Sequence, residues 1–204
     1  MVIFYIIGII LAYLIGSFPT GYILVKALKG IDIREVGSGS TGATNVKRVL
    51  GMKAYIFVMF ADALKGLLPV LAAKYIDLKM GFTLSYFHIL PVLVAVAIIM
   101  GHSKSIFLGF TGGKSVASGV GTIVGLNPIV GLITIISWIT LTYFTKVVSI
   151  SSIIVILLTP VWMFVFKQPL SYTLYCLLGA LYIVYLHREN IKRLISGNEN
   201  KIRK

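Results

Sequence analysis

VASGVGTIVGLNPIVGLITIISWITLTYF, residues 116–144, carries no charged side chain over its whole length, and how it is read decides the fold. The hydrocarbon core of a bilayer is about 30 Å thick and takes roughly 20 apolar residues per helical crossing. The run is too long for one ordinary span and too short for two. Asn127-Pro128 interrupts it near its midpoint, and proline breaks a helix because it lacks the N–H and its ring crowds the preceding turn. Two short or oblique helices are expected here, with a re-entrant hairpin as the alternative.

Working outward, further apolar runs cover Val2–Val25, Ala54–Tyr75, Leu84–Met100, Val147–Phe166 and Leu170–Leu186. Lipid offers backbone N–H and C=O groups no partner, so helices are the expected spanning element. The alternating short segments of a transmembrane barrel are missing. The chain therefore reads as all-α, a single integral membrane domain over residues 1–204 with seven transmembrane helices, two of them short. Gly16 and Pro19 should kink the first span. Composition agrees: 58% of residues are hydrophobic, 12% are charged and the mean hydropathy is +0.97, whereas soluble domains carry about a quarter charged residues. No basic segment precedes the first run and no small-residue cleavage site follows it, so it reads as a retained span and not a signal peptide.

Charge sets the expected orientation. Lys26, Lys29, Arg34, Lys47, Arg48 and Lys53 crowd one connection, and Arg188, Lys192, Arg193, Lys201, Arg203 and Lys204 crowd the tail. By the positive-inside rule both are cytoplasmic, which puts the N-terminus outside and loop 101–115 inside. The net charge of +13 would raise nucleic-acid binding in a soluble protein, but the aromatics lie within or at the ends of apolar spans, as interfacial belts do. No nucleic-acid partner is expected. Anionic substrates and membrane lipid fit the charge better. Cys176, the lone cysteine, reads as a small buried apolar residue and cannot form an internal disulfide.

Four polar features interrupt the apolar chain. Gly37-Ser38-Gly39-Ser40-Thr41-Gly42-Ala43-Thr44-Asn45, followed by Lys47 and Arg48, has glycines that could turn backbone N–H groups inward as an anion nest. Arg48 can grip a phosphate bidentately. Gly112-Gly113-Lys114-Ser115 leads straight into a helix, a ready phosphate site. It is not a nucleotide-hydrolysing P-loop, because Leu108 stands where that pattern needs glycine. His187 and Asn190 are three residues apart and share a helix face where the last span meets the cytoplasm. Asp62 and Lys65 lie one turn apart inside the second span, where a charge costs roughly 2.5–3.5 kcal/mol on insertion scales and so pairs or serves a site. Ser149 and Ser152 are further candidates at the same face. No cysteine pair or His/carboxylate cluster suggests a metal, and no cofactor is called for. Neither His102 nor His187 has an aspartate in the His-x4-Asp slot, held here by Phe107 and Lys192.

Five segments, GSFPTGYILVK (16–26), IDIREVGSGSTGATNVKRVLG (31–51), DALKG (62–66), GHSKSIFLGFTGGKSVASGVGTIVGLNP (101–128) and HRENIKRLISGNE (187–199), together resemble the bacterial acyl-phosphate:glycerol-3-phosphate acyltransferases. The likeness runs over nearly the whole chain, in order. It implies seven membrane helices in the bacterial inner membrane, an active site facing the cytoplasm, an acyl-phosphate donor, glycerol 3-phosphate as acceptor, and lysophosphatidate and phosphate as products at the first step of phospholipid synthesis. It carries catalytic roles onto Ser38, Arg48, Lys114, His187 and Asn190. Gly39, Thr44, Asn45, Gly112, Gly113 and Ser152 are expected to bind substrate. The family usually has Asn-Pro at Ser40-Thr41 and a less polar pair at Ser103-Lys104. Both departures leave the named residues in place. A monomer is expected, since one chain carries every motif.

An acyl-phosphate is already activated, so orientation and charge stabilisation matter more than a covalent nucleophile. Direct attack by the glycerol 1-hydroxyl is expected, with His187 or a substrate phosphate oxygen taking the proton. The competing class is a membrane carrier for an organic phosphate, which polar loops and broken helices would also suit. No internal repeat supports it.

Overall fold

A computed structural model describes residues 2–80 and 88–202; Arg203 and Lys204 of the basic tail, and positions 84–87 of the third apolar run, lie outside the described residues. Within them the regular elements are helices. α1 (Val2–Ser17) and α2 (Thr20–Lys29) form one apolar segment broken at Phe18-Pro19, as Pro19 leads one to expect. α3 (Ala43–Leu50) is short, and α4 (Met52–Met80) is the longest helix. Then come α5 (Ile89–Ser103), α6 (Val116–Leu126), α7 (Pro128–Thr145), α8 (Val148–Val165), α9 (Leu170–Leu186) and α10 (Arg188–Ile195).

The run 116–144 does break at Asn127, whose side chain accepts a hydrogen bond from Val130 N at 3.0 Å and so starts α7. The two halves are unequal, contrary to the expected pair of short helices. α6 has 11 residues and spans about 16 Å, while α7 has 18 and spans about 27 Å. A one-residue corner at Asn127 joins them. The second short apolar helix is α5, with 15 residues.

Among the described residues, four segments are long and apolar enough to cross a membrane: Val2–Lys29, Met52–Lys79, Pro128–Thr145 and Val148–Val165. α9 joins α10 across a 60° bend. α1 lies on α5, α4 on α6, and α8 on both α7 and α9. Small residues set two of these contacts, since a Cβ at Gly16 would fall 2.5 Å from Ile98 O and one at Gly121 would fall 2.0 Å from Ala63 O. Close backbone approach of this kind is how membrane helices gain dispersion energy without a hydrophobic driving force. Between the helices lies an apolar core containing Ile98, Ile123, Leu126, Val130, Met163 and Ile183. Outward, Phe57, Phe60, Leu132, Ile136, Leu178 and Leu181 are exposed, a surface that lipid would cover. A second small core of Val25, Ile33, Val46 and Val58 anchors the polar segment 30–51 to the ends of α2 and α4.

Lys74 on α4 reaches the last carbonyls of α6, donating to Gly125 O at 3.1 Å and Leu126 O at 3.0 Å. Such carbonyls lack helical partners, so a short helix ending deep in the bundle needs this cap. Lys74→Met should destabilise the protein by about 1–3 kcal/mol, read as a lowered thermal midpoint in detergent with the active-site kinetics unchanged.

Candidate active site

The polar segments converge at one end of the bundle. Arg34, held by Asp32 at 2.7 Å and lying over the Tyr22 ring, donates to Leu108 O at 3.3 Å, which joins segment 30–51 to segment 104–115. Lys114 in turn donates to Asn190 Oδ1 across to α10.

Asn45 organises the first loop. It is 1% exposed. Its Nδ2 donates to Ile33 O, Val36 O and Ser40 O, and its Oδ1 accepts from Ser38 N at 3.0 Å and Arg48 Nη1 at 3.5 Å. Expected among the substrate-binding groups, Asn45 holds the loop together through these bonds. Gly37, at φ 62°, must be glycine twice over, because a Cβ there would also meet Asn45 Oδ1 at 2.2 Å.

Three of the loop's backbone N–H groups are already engaged within it. Ser38 N, Gly39 N and Gly42 N donate to Asn45 Oδ1, Val36 O and Ser40 Oγ respectively. Likewise Gly113 N donates to His102 O at 3.1 Å. The glycines serve close approach, while the side chains of Ser38 and Arg48 are exposed and that of Lys114 is half-buried. Gly39 lies against Arg34 O, and a Cβ at Gly112 would meet His102 O at 2.3 Å. Thr44 is half-buried in the first turn of α3, and Ser152 lies one turn beyond Ser149 on α8. Ser152 is 2% exposed between α7 and α8, where its Oγ accepts from Trp138 Nε1 at 3.0 Å. Its neighbour Ser149 is the serine that reaches the site.

Glu199, in the tail beyond α10, is the hub that motif reasoning passed over. Its Oε1 accepts from Asn190 Nδ2 at 2.6 Å and Ser149 Oγ at 2.9 Å, and its Oε2 from Arg193 Nε at 2.8 Å. Farther along, Ile202 N donates to Lys146 O at 2.7 Å, strapping the tail across the α7–α8 turn. Burial opposes the Glu199 charge, but its donors outweigh that and hold its pKa below the ordinary value. A glutamate nine residues past Asn190 with an arginine between was the one available signal.

Lys114 is driven the other way. Burial first, then the Arg193 and Arg48 charges, push its pKa down to about 8, with Glu199 partly opposing. His187, 3% exposed at the α9–α10 bend, lies 2.8 Å through Nδ1 from Ile183 O. Since a carbonyl only accepts, Nδ1 carries the proton and Nε2 keeps its lone pair. Burial and the Lys114 charge lower the His187 pKa to about 4, against the contrary pull of the Ile183 bond and Glu199. The ring is neutral at pH 7. The site thus joins a cation poised near neutrality, two arginines, a neutral imidazole and an amide whose orientation Lys114 and Glu199 fix. It suits a ligand bearing phosphate.

Known proteins match this chain over nearly its whole length. The glycerol-3-phosphate acyltransferase family profile matches residues 6–197. The chain is similar to the glycerol-3-phosphate acyltransferases of Trichormus variabilis (48% identical, covering 95% of this chain and 90% of that one) and of Rippkaea orientalis (48%, covering 95% and 91%). Among solved structures it resembles PlsY, an integral membrane glycerol 3-phosphate acyltransferase, in its glycerol 3-phosphate form (TM-score 0.89, 35% identity, covering 98% of this chain and 96% of that one). It also resembles the lysophosphatidic acid form of PlsY (TM-score 0.86, 34% identity, covering 98% and 95%).

Proposed function

The chain belongs to the glycerol-3-phosphate acyltransferase family, and on that premise we propose that it transfers an acyl chain from an acyl-phosphate to the 1-hydroxyl of glycerol 3-phosphate. The observation that carries this reading is the joining of Lys114, Asn190, Arg193 and Glu199 into one network beside His187. Lys114 and Asn190 hold the phosphate and a hydroxyl of glycerol 3-phosphate, while Arg48 and Ser38 hold the donor phosphate. The glycerol oxygen attacks the acyl carbon, a C–O ester bond forms, and the C–O bond to phosphate breaks. Lysophosphatidate and hydrogen phosphate leave, the phosphate carrying off the hydroxyl proton.

A group with a pKa near 4 is a weak base at neutral pH. His187 therefore accepts a hydrogen bond through Nε2 and orients the attacking hydroxyl, and the proton goes to a phosphate oxygen. His187→Gln should keep at least about a tenth of wild-type kcat, since orientation without proton transfer forgoes only part of the usual 10²–10⁴-fold of general-base catalysis. Loss of all turnover in a folded His187→Gln protein would restore the histidine base.

Seven membrane helices (α1 continuing into α2, α4, α5, α6, α7, α8 and α9) give an N-terminus outside and the site at the cytoplasmic face of the bacterial inner membrane. The basic segments 26–53 and 187 onward, both at the site's end of the bundle, support that orientation. One chain supplies every named group, so a monomer suffices.

Purified protein in detergent should release phosphate from an acyl-phosphate only when glycerol 3-phosphate is present. Turnover with an acyl thioester instead would overturn the donor, and uptake into liposomes without ester formation would favour the carrier. The free enzyme's kcat/KM should fall as pH rises above about 8, because Lys114 loses its proton there. Lys114→Arg, which stays charged, should abolish that limb.

A further inference from the structure

Beneath the site lies a group of charged and polar side chains to which the reaction scheme assigns nothing. Asp62, 2% exposed on α4, receives Thr20 Oγ1 at 3.2 Å and pairs with Lys65 at 2.7 Å. Lys65 also donates to Phe18 O at 2.9 Å, at the α1–α2 break. His102, in the last turn of α5, turns Nδ1 toward Asp62 Oδ1 at 3.9 Å. Its opposite edge faces the Gly-Gly-Lys segment: a Cβ at Gly113 would fall 2.2 Å from His102 Nε2, and His102 O accepts from Gly113 N at 3.1 Å. One residue past Lys114, Ser115 is fully buried at φ 58° and donates through Oγ to Ile99 O at 2.9 Å. The Lys114 backbone is thus clamped on both sides by the end of α5.

We propose that His102 is a positioning residue for Lys114, its imidazole wedged between Asp62 and Gly113 so that the α4 carboxylate fixes where the phosphate-binding lysine stands. The proposal rests on the reading of Lys114 as the ligand of glycerol 3-phosphate. Gly113 has no side chain because the ring occupies that space. Truncating the ring frees the segment to settle into the gap, and Lys114 moves with it. A displacement of about 1 Å at a binding group is enough to cost up to 10²-fold.

The test uses the full-length enzyme in detergent: wild type, His102→Ala, His102→Gln, Lys114→Ala and the His102→Ala/Lys114→Ala double variant. Each is measured for KM toward glycerol 3-phosphate and acyl-phosphate and for its thermal midpoint. His102→Ala should raise KM for glycerol 3-phosphate about tenfold while KM for the donor moves less than about twofold, and His102→Gln should recover part of the loss. On the Lys114→Ala background, His102→Ala should add less than about twofold, because two residues acting through one contact are not additive. Equal factors on both backgrounds would overturn the proposal, as would an unchanged KM in His102→Ala. If His102→Ala does not fold, His102→Gln decides alone: a selective rise in KM for glycerol 3-phosphate supports the proposal, and a uniform fall in kcat overturns it. Wild-type protein that is silent with both substrates would instead defeat the functional reading itself.

Discussion

Lys114→Met should fold normally and lose about 10²–10³-fold in kcat/KM, the scale of removing one preorganised charge from a water-poor site. Methionine is similar in length and apolar, so it avoids opening a void. The loss should exceed what a surface lysine contributes because Lys114 is desolvated enough to have its pKa brought down to about 8, and a phosphate dianion arriving there meets little screening. Asn190 loses a donor to its Oδ1 but keeps its bond to Glu199 at 2.6 Å, so the amide stays oriented. Phosphate release with both substrates saturating in turn separates the contributions. KM for glycerol 3-phosphate should carry most of the change, and a kcat loss with KM intact would show that Lys114 acts on the donor phosphate instead.

The second large effect is structural. Gly121→Val should leave little folded protein, because its Cβ would stand 2.0 Å from Ala63 O and 3.1 Å from Leu67 N, both backbone atoms that cannot swing aside. α4 and α6 would have to separate along their whole contact, and Lys74 would lose its grip on the end of α6. The expected cost exceeds about 4 kcal/mol. Monodispersity after detergent extraction and the thermal midpoint would report it. Gly179→Ala is the control, since its Cβ would meet only the tip of Ile99 at 3.7 Å, and it should behave as wild type.

Hydropathy located the helical segments to within a few residues because burial in lipid is a long-range, low-resolution demand. The break at Asn127-Pro128 was legible for a local reason, proline's missing N–H. The capping of α6 by Lys74, from a helix some fifty residues earlier, was not, because no local pattern relates the two. Lys114 and Asn190 could be named from their motifs, yet their bond joins segments that no spacing rule relates. Asn45 and Ser152 have partners that the sequence does not reveal. A polar residue in a motif or at a polar face looks free in sequence, and only packing reveals that Asn45 holds its own loop and Ser152 receives Trp138. Glu199 was the converse, an ordinary acidic residue in a basic tail until the tail folds back.

That strap has a consequence for how the enzyme comes into being. Synthesis proceeds from the N-terminus, and every helix of the bundle precedes Glu199. The carboxylate that orients Asn190 and neutralises Arg193 is therefore the last of the site's groups to leave the ribosome. Until Glu199 emerges, Asn190 Nδ2 and Arg193 Nε lack the carboxylate they meet in the folded site, and Ile202 N then ties the tail to the α7–α8 turn. Folding of the tail over the site therefore comes after insertion of the helices that carry it.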